Sequence, residues 1–229
     1  MLMSKKIKTV EVNELYFAKT KPNAIIPTKR DEDAGYDIYT CETETIVIEP
    51  NSTRLIDTGI AIACNKAYFP KFFDKGGMGS KGIIVGAGVG DSGFRDGYFV
   101  PLINTNKDKT LVITTQTKDE IEKCNYFNLD TKNFECISDD ELVMSAEKDI
   151  KSGNLLLYFQ ITNYPFNINK YNNQRVVKKE DCIIKPIHKA ITHFVMIPVP
   201  EFKKKEITWE ELKGIESERG LGKLGSSGK

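Results

Sequence analysis

A chain of 229 residues is long enough to bury its own core, and 33 Lys and Arg against 32 Asp and Glu leave a net charge of only +1. So even a balance gives no argument for nucleic acid or an acidic membrane surface as partner, and any anionic ligand must be held by a local site. The five cysteines, Cys41, Cys64, Cys124, Cys136 and Cys182, are odd in number, widely spaced and without a CxxC pair, which predicts reduced, mostly buried thiols in a soluble cytoplasmic protein rather than a disulfide framework. Met1 to Lys8 has no apolar stretch of signal-peptide length, and the apolar runs elsewhere are far shorter than a membrane span.

From Val10 to Leu111 short β-rich runs alternate with turn residues: Ile46 to Ile48, then Pro50-Asn51-Ser52, then Leu55 to Ile62. That rhythm predicts a barrel or sandwich rather than βαβ units. Between Lys75 and Gly97 glycines crowd together, the signature of tight turns and of backbone brought close to a ligand. Residues 114–180 differ in character. They offer two charged, helix-compatible pieces (Lys118 to Lys123 and Asp139 to Lys151) and a strand candidate at Leu155 to Ile161, and read as an insertion. Strands flanking an insertion must already lie close, so its replacement by a short turn is expected to leave the barrel intact. Strand pattern resumes at Cys182 to Ile184 and at Phe194 to Val199, and Trp209 to Ile215 can make a helical turn or two. The last residues, Gly220 to Lys229, are rich in Gly, Ser and Lys and are expected to order only around a ligand.

Gly220 to Gly225 spells GxGxxG, but no helix or acidic residue can follow at the required distance in the residues that remain, which removes the dinucleotide reading. A Walker A reading ending at Lys229 fails because Lys223 stands where its first glycine belongs. Glycine amides, Ser226 and Ser227 hydroxyls and the Arg219 fork are instead suited to wrapping a phosphate chain. Cys182, His188 and His193 are too few for a zinc site.

Three segments, in order, carry a more specific signal. Asp33-Ala34-Gly35-Tyr36-Asp37-Ile38, Gly88-Val89-Gly90-Asp91-Ser92-Gly93-Phe94-Arg95 and Arg219 to Gly228 resemble the AGYDL, GVIDxxYRG and RGxGGFGSTG motifs of the trimeric dUTPases. Two further segments resemble altered motifs of that family. Asp74 to Ile83 has Lys75, Gly76 and Gly77 for the arginine and two serines of DRSSxGxKGI, and Ala190 to Val195 has Ala190 and His193 for the arginine and glutamine of RIAQLV. The resemblance spans about residues 10 to 113 and 181 to 229.

It implies an all-β, dUTPase-like barrel or jelly roll with a mixed α/β insertion, assembled as a homotrimer with its sites between subunits. Residues 1–113 and 181–217 would form the core, 114–180 the insertion, and 218–229 an arm closing over the triphosphate. The implied reaction is hydrolysis of dUTP to dUMP and pyrophosphate, with Asp91 as general base for water and Mg²⁺ ordered through water by Asp37. Lys75, Gly76, Gly77, Ser80, His193, Arg219, Ser226 and Ser227 would meet the phosphates. Backbone groups of Val89, Gly90 and Phe99 would read uracil, Phe94 would exclude a 2′-hydroxyl, and Leu224 would cover the base. A related nucleotide hydrolase or deaminase of altered specificity is one alternative. Another is a weakly catalytic regulatory protein that binds a protein partner through the insertion.

Overall fold

A computed structural model describes residues 9–138, 168–171 and 174–217. The chain divides into a compact unit that runs to Val199 and a second that begins at Pro200. The second holds one short helix, α3 (Trp209–Lys213), started by a capping box in which Thr208 and Glu211 satisfy each other's backbone N–H. The helical expectations at Trp209 and at Lys118 (α2, Lys118–Glu122, capped in the same way by Thr117 and Glu120) are both met. The expectations at Asp139 to Lys151 and Leu155 to Ile161 lie outside the described residues.

The first unit is built from strands. β1 (Leu15–Lys19) pairs with β5 (Ile60–Cys64), and β2 (Tyr36–Ile38) and β6 (Tyr68–Asp74) flank β15 (Thr192–Pro198). β4 (Ser52–Asp57) and β7 (Ile83–Val85) flank β8 (Phe99–Asn104), and β3 (Ile46–Ile48) and β14 (Cys182–Pro186) flank β9 (Thr110–Thr114). The sequence run from Leu55 to Ile62 breaks at Thr58-Gly59 because the chain turns there. Gly59 has φ +61, and an added Cβ would lie 2.8 Å from that of Ala24, so only glycine fits. These small sheets close around one core. Ile38, Ile46, Ile48, Ile56, Ile60, Ile62, Phe72, Ile83, Val100, Leu102, Leu111, Ile113, Ile183 and Phe194 come from nearly every strand in them. At its centre Tyr36 stacks on Phe194 with ring centroids 5.1 Å apart, and Phe72 leans on Phe194 at 5.7 Å. An all-β, barrel-like architecture is therefore what the alternating strands produce.

The insertion carries a four-stranded sheet ordered β11 (Asn133–Glu135), β10 (Tyr126–Asn128), β13 (Gln174–Lys178), β12 (Ile168–Tyr171). Its Phe127, Leu129, Phe134 and Val177 bury Val112 of β9, with Val47, Cys182 and Ile184 packed against them. All five residues of β9 are buried in consequence, Leu111 and Ile113 toward the barrel core and Val112 toward the insertion. The expectation that the insertion is separable is thus revised: it supplies the second wall of a barrel strand.

Candidate active site

Strand alternation places the chemistry of β2, β15 and β6. Tyr36, Ile38, Phe72 and Phe194 turn into the core, so the intervening Asp37, His193 and Phe73 share the opposite face. The register sets His193 opposite Asp37 on one side and opposite Phe73 on the other. The chain then leaves β6 through Asp74, whose carboxylate accepts the Val85 N–H at 2.5 Å, and Lys75 begins the short α1 (Gly76–Gly79). Lys75 reaches back to Asp37 with Nζ to Oδ1 at 2.6 Å, each side chain about one third exposed. His193 lies over Gly35, where an added Cβ would stand 3.0 Å from both its Cδ2 and the Phe194 carbonyl oxygen. Glycine before Tyr36 is therefore a condition of this approach.

Gly35, Asp37, Lys75 and His193 line a cleft of about 430 Å³ together with Thr28, Lys29, Arg30, Asp33 and Ala34. Arg30 forks onto Asp33 with two contacts of 2.9 Å, and this pairing holds the Asp33 carboxyl below the usual range. Lys185, on β14, stands in the field of Lys75 and Asp37, and burial, then Lys75, pushes its ammonium down. No role follows from the sequence alone for Lys29, Arg30 and Lys185, or for Asp33 beyond its place at the head of the first motif. Lys29, Arg30 and Asp33 sit in the charged run that precedes Ala34, a signal that was legible, whereas Lys185 becomes recognisable only once β14 is paired with β9. Of the second motif, Lys75 lines the cleft, while Gly76 and Gly77 are exposed on α1 and Ser80 is exposed at its C-terminal cap. The Cβ directions of Gly76 and Gly77 face open space.

Burial first, and then the Lys75 ammonium, hold the His193 imidazole below the ordinary histidine value, against a smaller upward pull from Asp37 and Asp74. The unfolded chain then binds this proton more readily than the folded one, so stability is present at neutral pH and falls as pH drops through about 6.5. His193→Gln is expected to lessen the fall in Tm between about pH 7.5 and about pH 5.5. An equal fall in both proteins would assign the acid sensitivity to another group.

The third motif forms a separate feature. Gly88 accepts the Phe72 N–H at 2.7 Å, the Gly90 N–H donates to the Pro70 carbonyl at 2.9 Å, and Val89 bridges to Lys71, so this arm of the hairpin is laced to β6. Its tip turns at Asp91 to Phe94, closed by the Phe94 N–H on the Asp91 carbonyl at 3.1 Å. The Arg95 guanidinium donates to the Ser92 and Phe94 carbonyls. Asp91, Val89, Phe94 and Phe99 are all exposed. Among the described residues the cleft lining stops short of Asp91, so one chain presents the cleft and the hairpin tip as two surfaces. Arg219, Leu224, Ser226 and Ser227 lie outside the described residues. No group of three or more metal-ligating side chains occurs among the described residues, and none of their helices is long and apolar enough to cross a membrane.

The dUTPase family model matches residues 21–121. The chain is 29% identical over 104 residues to the deoxyuridine 5′-triphosphate nucleotidohydrolase of Leptospira interrogans, covering 44% of this chain and 71% of that protein. It is 35% identical over 92 residues to the vaccinia virus enzyme of the same description, covering 40% and 61%. A further match, 33% over 96 residues, falls in the Pol polyprotein of caprine arthritis encephalitis virus, of which it spans 8%. The fold is similar to that of the Staphylococcus bacteriophage 80alpha dUTPase with dUPNHPP, at TM-score 0.56 and 21% identity over 95% of this chain and 99% of that one. The matched segment contains Asp37, Lys75 and Asp91, the residues that anchor the cleft and the hairpin tip, and it is in this part of the chain that the similarity to the dUTPase family lies.

Proposed function

We propose that this chain hydrolyses dUTP to dUMP and pyrophosphate. The observation that carries the proposal is the cleft in which β2, β15 and the start of α1 bring Asp37, His193 and Lys75 together, with Lys29, Arg30 and Lys185 adding positive charge around them. A cleft so charged suits a polyphosphate. Lys75 and His193 meet phosphate oxygens there, joined by the amides of Gly76 and Gly77, which open α1 and have no partner within it. The Asp91 carboxylate takes the proton of a water as that water attacks the α-phosphorus. The bond to the bridging oxygen breaks on the far side, and pyrophosphate leaves with the electron pair. Val89, Gly90 and Phe99 face the base, and Phe94 presents its ring to the sugar.

The Asp37 carboxylate, one third exposed and paired with Lys75, would order a Mg²⁺ through water, an ion that keeps several waters and takes substrate phosphates as its other ligands. Bound there, the ion supplies charge neutralisation on the triphosphate.

Because cleft and hairpin tip are separate surfaces of one chain, the complete site is assembled from copies, and we assign a homotrimer. The exposed Leu55, Ile84 and Phe99 on the outer face of β4, β7 and β8 support this, since apolar side chains grouped on one sheet face invite a partner. Five free thiols support a reducing, cytoplasmic setting.

Turnover of a nucleotide panel, read by pyrophosphate release, tests the assignment. dUTP is expected to be hydrolysed with kcat/KM at least about a hundredfold above that for UTP, because a 2′-hydroxyl meets the Phe94 ring. Preference for a cytidine nucleotide with release of ammonia would replace this reading by a deaminase. Equal use of UTP would remove Phe94 from its role.

A further inference from the structure

The tip from Asp91 to Phe94 carries both the proposed base and the ring that faces the sugar, and the bonds from the Phe94 N–H to the Asp91 carbonyl and from Arg95 to the Ser92 and Phe94 carbonyls lie within the tip and its next residue. The tip contains Ser92 and Gly93, and the Cβ direction of Gly93 faces open space. Tyr98, four residues beyond, is placed differently. Its backbone is tied to the barrel at three points. Its N–H donates to the Ile60 carbonyl at 2.9 Å, and its own carbonyl accepts the Thr58 N–H at 3.2 Å and the Thr58 hydroxyl at 2.7 Å. From that anchor the ring stands between core and tip. Its centroid is 5.3 Å from that of Phe72, itself packed on Phe194, and 5.0 Å from that of Phe94 in an edge-on arrangement. The hydroxyl makes a long hydrogen bond, 3.5 Å, to the Asp91 carbonyl, which the Phe94 N–H also reaches.

The space Tyr98 occupies is opened by a glycine. A Cβ on Gly90 would lie 2.8 Å from Tyr98 Cε1, 2.9 Å from its hydroxyl and 2.9 Å from Pro70 Cγ. Gly90 stands where the GVIDxxYRG pattern has isoleucine, so in this chain a ring from the far arm of the hairpin fills the volume beside the base that an aliphatic side chain would otherwise fill. Burial pushes the phenol up to about 12, so it remains a hydrogen-bond donor at neutral pH.

We propose that Tyr98 is a positioning residue, propping the hairpin tip so that the Asp91 carboxylate and the Phe94 ring keep their relation to each other and to the barrel. The proposal rests on the assignment of Asp91 and Phe94 given above. An edge-on aromatic contact fixes the tilt of Phe94, and that tilt decides how closely the ring can approach C2′.

The test uses the full chain in its native assembly, with Tyr98→Phe and Tyr98→Leu compared with wild type. For Tyr98→Leu, kcat for dUTP is expected to fall about tenfold with a smaller change in KM, and the preference for dUTP over UTP to shrink about tenfold. Tyr98→Phe keeps the ring and is expected to restore the sugar preference while losing only a few-fold in kcat. Amide exchange supplies an arm that needs no turnover: the Phe94 N–H is expected to exchange about tenfold faster in Tyr98→Leu, with core amides unchanged. Unaltered Phe94 exchange overturns the proposal whatever the activity shows, as does an unaltered dUTP to UTP ratio in an active enzyme. A uniform loss on both substrates with a lowered Tm would make Tyr98 a purely structural residue. If wild type itself fails to hydrolyse dUTP, the assignment of Asp91 falls, while the exchange result still decides whether Tyr98 holds the tip.

Discussion

Asp91→Asn is expected to abolish measurable hydrolysis while leaving nucleotide binding nearly intact. The amide has the size of the carboxylate but cannot take a proton from water, and loss of one general base costs on the order of 10²- to 10⁴-fold in rate. The surroundings allow so clean a result. The Asp91 side chain is exposed, and its backbone carbonyl rather than its carboxylate accepts the bonds from Phe94 and Tyr98 that shape the tip. The exchange should therefore not disturb the turn. Single-turnover kinetics beside calorimetric titration with a non-hydrolysable dUTP analogue separates the two effects. More than half of wild-type turnover in the variant would show that another group activates the water.

The second large effect concerns stability. Excision of residues 115–180 is expected to give an insoluble or unfolded product, because it removes Phe127, Leu129, Phe134 and Val177 from above Val112 and leaves Val47 and Ile184 uncovered on the same face. Phe127→Ala measures the same interface in a protein that retains its chain. Phe127 is 0% exposed and packs against Phe134 with ring centroids 4.9 Å apart and the rings tilted, so truncation is expected to cost about 3–5 kcal/mol, read as a shift in the denaturant midpoint. A soluble excised protein with wild-type turnover would show that the barrel wall is sufficient alone.

Much of the barrel was legible because its strands obey a two-residue alternation with turns between them, as in Ile46-Val47-Ile48, where the outer two are buried in the core. Asp37, Lys75, Asp91 and Phe94 were legible for a different reason, as members of short patterns in fixed order. What the pattern could not disclose was depth on the second face of β9. The run Leu111-Val112-Ile113 is apolar throughout, and an unbroken apolar run says that both sides are covered without saying by what. Lys185 and Tyr98 stayed hidden likewise, one made a neighbour of Lys75 by strand pairing and the other a neighbour of Gly90 by the fold of the hairpin.

The parallel pairing of β14 with β9 has a bearing on the order of events during folding. Antiparallel neighbours such as β10 and β11 need only a turn between them, but a parallel neighbour requires the chain to travel back along its whole length before the first ladder bond can form. Here that return path is the insertion, so β14, and with it Lys185, docks only after the long intervening segment has been drawn in. Contacts of such high sequence separation form slowly, because loop closure must precede any gain from them. The cleft is then among the late-maturing parts of the molecule, competent for nucleotide after most of the sheet framework is already in place.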